Sequence, residues 1–424
     1  MKLRPLAALW LVGALATGAA RAETLTIEDA TRLAQERSPR RQEAQALVEG
    51  ARAAVSVARS GYLPDANLAA VATAGFGGST QQLGVRGIIN SPYTQHFGAG
   101  IEAGWTVYDF GRTSSRVDAA LARVDSATAW KGLTGRAAAL DAARAFGAAL
   151  MAEEDARATA AAVGFRSRGA DASRTLARTG LRPEMDALLA GARAAEAKAA
   201  LAIAEAEVGV ARATLGAMLG RPLSAATTLS APEPRKSDVD HATVSAGAAP
   251  RDPLHDVAAA EEARAAALDR AATAEHLPRL VVAGSAGYAR RVAPDEPGYV
   301  AAGAGVVVPL FAFVGEAARA REAGASARGA AARASQADVE LAILLARETA
   351  SLRAFTAARA AADTSMAAAK TALDAAEARY AAGQISFAEA DAARDAFVRT
   401  ESTRRRLGIE AALSLARLRI WLAR

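Results

Sequence analysis

The sequence predicts a mainly α-helical fold with a small membrane β part, laid out twice along one chain as helix, strand hairpin and helices. Three observations predict it. An ordered set of short motifs occurs in both halves, long alanine-rich stretches run almost without proline, and four segments of about ten residues alternate between apolar and polar or small side chains.

The duplication fixes the plan of everything else. Ser38-Pro39, an alanine-rich run and Tyr62-Leu63-Pro64 return 214 residues later as Asp252-Pro253, a similar run and His276-Leu277-Pro278. The stretch Trp105-Thr106-Val107-Tyr108-Asp109-Phe110-Gly111 returns, one residue longer, as 308–315. Thr179-Gly180-Leu181 returns as Ala382-Gly383-Gln384, now 203 residues on, so the second copy has the shorter insert between its strands. Expected boundaries are a signal segment at 1–22, a first repeat at 23–220, a linker at 221–251 and a second repeat at 252–424. The linker stretch holds Pro222, Pro232, Pro234 and Pro250 among Ser, Thr and Asp, and no single conformation is assigned to it.

Residues 27–60 and 252–275 are rich in Ala, Glu, Gln and Arg, which favour helix. Leu63-Pro64 and Leu277-Pro278 end these runs because proline lacks the amide hydrogen and clashes with the preceding turn. The stretches from 112 to about 175 and from 316 to about 381 predict two very long helices, on the order of 90 Å at ~1.5 Å per residue. Val117, Leu121, Val124 and Ala127 step by four, three and three, the spacing of a narrow apolar seam.

The strands separate this chain from a plain helical bundle. His96, Gly98, Gly100, Glu102, Gly104 and Thr106 alternate with Phe97, Ala99, Ile101, Ala103, Trp105 and Val107. In 66–76, Leu68, Ala70, Ala72, Ala74 and Phe76 alternate with Asn67, Ala69, Val71, Thr73 and Gly75, while 279–289 and 299–308 have similar length with poorer contrast. Their lengths suit membrane β-strands, and Phe97, Ala99, Ile101, Ala103 and Trp105 are the expected lipid-facing set. Four strands cannot close a barrel, so the subunit is expected to contribute them to a barrel shared by an oligomer. The tips at 77–95 and 290–298 carry the Gly, Pro, Ser, Thr, Asp and Asn of exposed loops.

The ends and the composition bound the compartment. Lys2 and Arg4, an apolar run over 6–20 and Ala20-Arg21-Ala22 have the order of a secretory signal, which predicts a mature chain starting at Glu23. Removing the cations Lys2, Arg4 and Arg21 lowers the formal charge from +6 to +3, so the basic pI is weak support for a nucleic-acid partner. The absence of cysteine excludes disulfides, thiolate metal sites and a lipidated cysteine. The four histidines, His96, His241, His255 and His276, include no pair at i, i+4, so no metal or other cofactor is expected. Beyond residue 22 the longest stretch without a charged or strongly polar side chain is 300–315, broken by Gly303, Gly305 and Pro309, which argues against a spanning helix and leaves a β-barrel as the route into a membrane.

These motifs together carry a family resemblance. The opening Leu25-Thr26-Ile27-Glu28-Asp29-Ala30, the Leu-Pro step into each hairpin, the stretch from Trp105 to Arg112 and the glycine-then-acid patterns at 180–186 and 383–389 resemble the outer-membrane efflux protein family that includes TolC. The resemblance covers residues 24–424. It implies a homotrimer with a twelve-stranded outer-membrane barrel continuous with an α-helical periplasmic tunnel. It also implies that such a channel exports small molecules or proteins with an inner-membrane pump and a periplasmic adaptor.

In such a tunnel the inner end closes where the long helices turn, here near 178–186 and 380–389. Asp186 and Glu389 each lie six residues after the turn glycine. In a trimer they would form carboxylate rings that attract cations, or each would only start a helix at the positive end of its dipole. Tyr380 matches a tyrosine of the family's closing contacts. The arginine expected after the second glycine is replaced by Ile385, while Arg182 holds the equivalent place in the first repeat.

The competing reading is a periplasmic coiled-coil adaptor, which needs compact β-domains built from a longer run of strands than this sequence offers. An enzyme is not expected, because no nucleophile, base and orienting partner occur together near a pocket-forming motif.

Overall fold

The computed structural model describes residues 23–74, 95–247, 253–290, 298–308 and 313–422. The expected signal segment at 1–22 lies outside these residues, as do the hairpin tips apart from the strand ends that flank them. Within the described residues the chain forms two compact units. One holds the residues through Ala34 with Asp141–Arg235 and Leu352–Ala416, and the other holds Gln35–Leu140, Lys236–Ser351 and the residues from Arg417.

The first repeat begins with β1 (Thr24–Thr26), α1 (Ile27–Arg37) and α2 (Pro39–Ser60). The sequence treats 27–60 as one helical run, yet the structure divides it at Ser38, whose φ of −59° and ψ of 125° are not helical. A residue before proline is pushed out of the helical region, while Pro39 itself suits the first helical position. Strands β2 (Asp65–Ala74) and β3 (Gln95–Tyr108) follow, then α3 (Arg112–Arg178) and α4 (Glu184–Met218). The expected linker contains β4 (Thr228–Ser230), which pairs in parallel with β1, and α5 (Lys236–Gly247). The second repeat runs through α6 (Pro253–Ala274), β5 (Arg279–Arg290), β6 (Gly298–Val307), α7 (Phe313–Ala381) and α8 (Phe387–Leu422).

The junction from β3 to α3 explains the first hairpin's closing motif. Phe110 and Gly111 both take positive φ, 51° and 90°, reversing the chain, and Asp109 accepts a hydrogen bond from the Thr113 amide at 2.9 Å to start the helix. The Trp105 indole donates to the Tyr62 carbonyl at 2.9 Å, tying the strand to the end of the preceding helix.

The expected seam on α3 needs correction. Val117 is buried, but Leu121 is 41% exposed, and Ala119, Ala122 and Ser126 line the buried side instead. Small side chains let helix backbones approach closely, so here the larger residue stands on the open face.

The four long strands form one antiparallel sheet in the order β2-β3-β5-β6, which leaves β2 and β6 at its edges. Its register supplies what the weak alternation of 279–289 and 299–308 could not. Leu68, Ile101, Ala286 and Val300 lie in one row across the strands, and the next row on the opposite face is Asn67, Glu102, Ser285 and Ala301. In paired antiparallel strands, residues directly opposite share a face, so the first row is wholly apolar and the second mostly polar.

Candidate functional site

The turns that end α3 and α7 are built by the same local chemistry. At the end of α3, Gly180 adopts φ of 74°, its amide donates to the Ala177 carbonyl and the Leu181 amide to that of Leu176. At the end of α7, Gly383 adopts φ of 75°, its amide donates to Tyr380 and that of Gln384 to Arg379. This double capping of the last helical carbonyls needs a left-handed residue, which glycine supplies without a Cβ penalty.

Tyr380 and Arg182, singled out from sequence, meet at these turns. Tyr380 is buried with Phe387, Ala170, Ala190, Ala194 and Ala390, and Leu176 and Ile385 pack against this cluster. Its hydroxyl shares a 2.7 Å hydrogen bond with the fully buried Ser173 hydroxyl. The Arg182 guanidinium lies over the Tyr380 ring, 5.1 Å from its centre, and donates to the Ile385 carbonyl. Arg182 therefore joins the first turn to the second through the backbone of the residue that replaces the expected arginine.

The matched acids differ in their surroundings. Ser386 and Glu389 form a reciprocal cap at the start of α8: the Ser386 amide and hydroxyl donate to Glu389 Oε2 at 2.7 and 2.8 Å, and the Glu389 amide donates to the Ser386 hydroxyl at 3.3 Å. These bonds from Ser386 hold the exposed Glu389 carboxyl below its usual range. Asp186 lies in the first turn of α4 behind Pro183, which occupies the capping position and offers no side-chain acceptor or donor. The sequence reading missed Ser173, Ser386 and Phe387. Ser386-x-x-Glu389 is itself a capping signature, whereas nothing local in the sequence marks Ser173 as the partner of Tyr380.

On the sheet, the large apolar residues of one face are exposed in the single chain: Leu68 is 80%, Ile101 57% and Val300 86% accessible. Trp105, Val282 and Tyr288 on the same face are also exposed. Ala99 and Ala103 belong to this face and are partly buried. Phe97 follows in register, opposite Ala72, and its side chain lies outside the described residues. Among the described residues no helix is long and apolar enough to cross a membrane.

Comparison with known families agrees with this geometry. Residues 30–221 and 248–422 match the family described as outer membrane efflux protein. The chain belongs to that family. As an outer membrane efflux protein it is a channel subunit of the outer membrane, and the adaptor reading falls away.

Several solved structures share the fold of this efflux protein. The outer-membrane channel OprN is 20% identical with a TM-score of 0.78, over 93% of this chain and 89% of that one. The outer membrane protein VceC from Vibrio cholerae is 19% identical with a TM-score of 0.78, over 93% and 95%. The MtrE outer membrane channel of Neisseria gonorrhoeae, solved in its open state, is 19% identical with a TM-score of 0.73, over 93% and 88%. None of the curated proteins compared with the chain matches it.

Proposed function

We propose that three copies of this chain assemble into one tunnel, each giving four strands to a shared twelve-stranded barrel and its long helices to a periplasmic conduit. The observation that carries this reading is the sheet. One face is apolar and exposed across all four strands, and the edges β2 and β6 have unpaired backbone groups that only another sheet edge can satisfy. In this reading Phe97, Ala99, Ile101, Ala103 and Trp105 face lipid, and Asn67, Glu102 and Ser285 face the lumen. The Arg182–Tyr380 contact holds the inner end, where Asp186 and Glu389 bias passage toward cations. Export would run with a periplasmic adaptor and an inner-membrane pump.

The absence of cysteine makes a direct test clean. In one chain β2 and β6 are separated by β3 and β5, roughly 14 Å apart at the usual strand spacing, too far for an internal disulfide. With Asn67→Cys on β2 and single cysteines scanned over 299–305 on β6, oxidation should give a covalent trimer at one register. Absence of any intermolecular bond across the scan would overturn the shared barrel.

A further inference from the structure

Four helices pack beside the inner turns, and they enclose a group of charges that neither the barrel nor the Arg182–Tyr380 contact uses. Asp391, on α8 two residues beyond Glu389, is buried, and its Oδ1 accepts no hydrogen bond from the protein. The nearest cation is Arg166 on α3, with Nε 4.0 Å from that oxygen, beyond hydrogen-bond range. Arg166 instead gives Nη2 to both oxygens of Asp395, at 2.9 and 3.2 Å. The neighbouring Arg394 is also buried and gives its Nε to Glu377 on α7 at 3.2 Å, with Nη1 unpartnered. On α4, Arg193 is engaged by Glu196 at 3.0 Å. Two aspartates thus compete for one guanidinium, and Asp395 holds it.

Elsewhere the same unit treats a buried carboxylate differently. Glu154 receives a hydrogen bond from Arg157 and has Arg405 at 3.5 Å, so it is flanked by two cations. The repeat offers a second contrast. At the spacing of 203 residues, Asp391, Arg394 and Asp395 correspond to Leu188, Gly191 and Ala192, and Arg166 corresponds to Ala369. Each of these four charged residues therefore has an apolar or small residue at the matched position of the other repeat.

We propose that Asp391 is a proton-binding clamp between α3 and α8: with a proton taken from solvent the two helices pack closely beside the turns, and without it the buried charge loosens them. A buried carboxylate oxygen that accepts no hydrogen bond is costly when the group is ionised and much less so when it is neutral. Burial pushes the Asp391 carboxyl up, and the charge of Asp395 adds to this, against the opposing pull of Arg166, Arg394 and Arg193. A carboxyl raised in the packed state makes that state more stable as pH falls. The consequence for transport, a tunnel end that is tighter in acid, rests on the reading of these turns as the inner end; the clamp itself does not.

The test is amide hydrogen exchange of the assembled protein in detergent, read on peptides covering 387–400 at about pH 5 and about pH 8 and corrected for intrinsic chemical rates. Wild type should be roughly threefold or more better protected at the lower pH, in the sense expected for a raised carboxyl. Asp391→Asn should be equally protected at both, near the wild-type value in acid. Asp391→Leu, which copies the first repeat, should behave likewise and serves if the asparagine variant fails to assemble. Equal protection of wild type at both pH values, or pH dependence that survives in either variant, would overturn the clamp. Failure of the trimer in the disulfide scan, with this pH response intact, would overturn the tunnel reading and leave the clamp standing.

Discussion

The Arg182 guanidinium rests 5.1 Å from the centre of the Tyr380 ring and reaches the Ile385 carbonyl, so one side chain from the first repeat clasps the turn of the second. Lysine cannot copy a flat cation that stacks and donates at once. Arg182→Lys should therefore loosen the turns nearly as much as Arg182→Ala, which measurements of single-channel open time would show. Wild-type gating in Arg182→Lys would mean that only charge matters at this position.

Tyr380→Phe removes a hydroxyl whose partner, Ser173, is fully buried. Leaving that donor or acceptor unsatisfied should cost about 1–3 kcal/mol, and the double change Tyr380→Phe with Ser173→Ala should recover part of the loss. Thermal unfolding of the assembled protein reads both. Additive losses would show that the two hydroxyls do not act as a pair.

The cap at the start of α8 gives a pH response opposite in sign to that of Asp391. Glu389 is held below its usual range by Ser386, so its contribution is present above the ordinary carboxylate range and is lost as pH falls through the lowered value. Ser386→Ala should cost on the order of 1 kcal/mol of local stability and reduce that acid loss without abolishing it, because the amide of residue 386 still donates to Glu389, as measured by exchange of the first amides of α8.

Cation preference at the turns should be tested without breaking this cap. Asp186→Asn with Glu389→Gln removes both charges, and glutamine can still serve in a reciprocal cap. Reduced cation over anion selectivity in single-channel recordings is the expected outcome. Unchanged selectivity in a correctly assembled channel would show that the acids serve only as helix starters.

On the sheet, Ile101→Arg should cost about 2–4 kcal/mol near the bilayer midplane, as seen in loss of assembled protein from the membrane. Glu102→Arg, one residue away on the face of Asn67 and Ser285, should assemble and alter conductance. Equal tolerance of the two would show that the faces are assigned wrongly.

The element plan was legible because its signals are local. Period-two alternation marks 96–107, proline marks the helix ends, and Gly180 and Gly383 mark the two turns. The faces of β5 and β6 were not legible, since alanine and glycine dominate both faces and only pairing with Ile101 and Glu102 distinguishes them. Leu121 misled because the seam pattern assumes that large side chains fill the contact, whereas this bundle packs on alanine. At the turns, Tyr380 and Arg182 were singled out separately, but their contact spans 198 positions of chain and no local pattern encodes it. Asp391 has no local marker either: two residues from Glu389 it reads as another surface acid, and packing of α3 against α8 buries it.

The central claim is that the four-stranded sheet of each chain completes a barrel only with two further copies. An electron cryo-microscopy reconstruction of the protein extracted from the outer membrane measures this directly. The expected result is a threefold particle in which β2 of each copy pairs with β6 of the next around a single twelve-stranded barrel. A particle containing one chain, or three chains whose sheets do not join edge to edge, would contradict it.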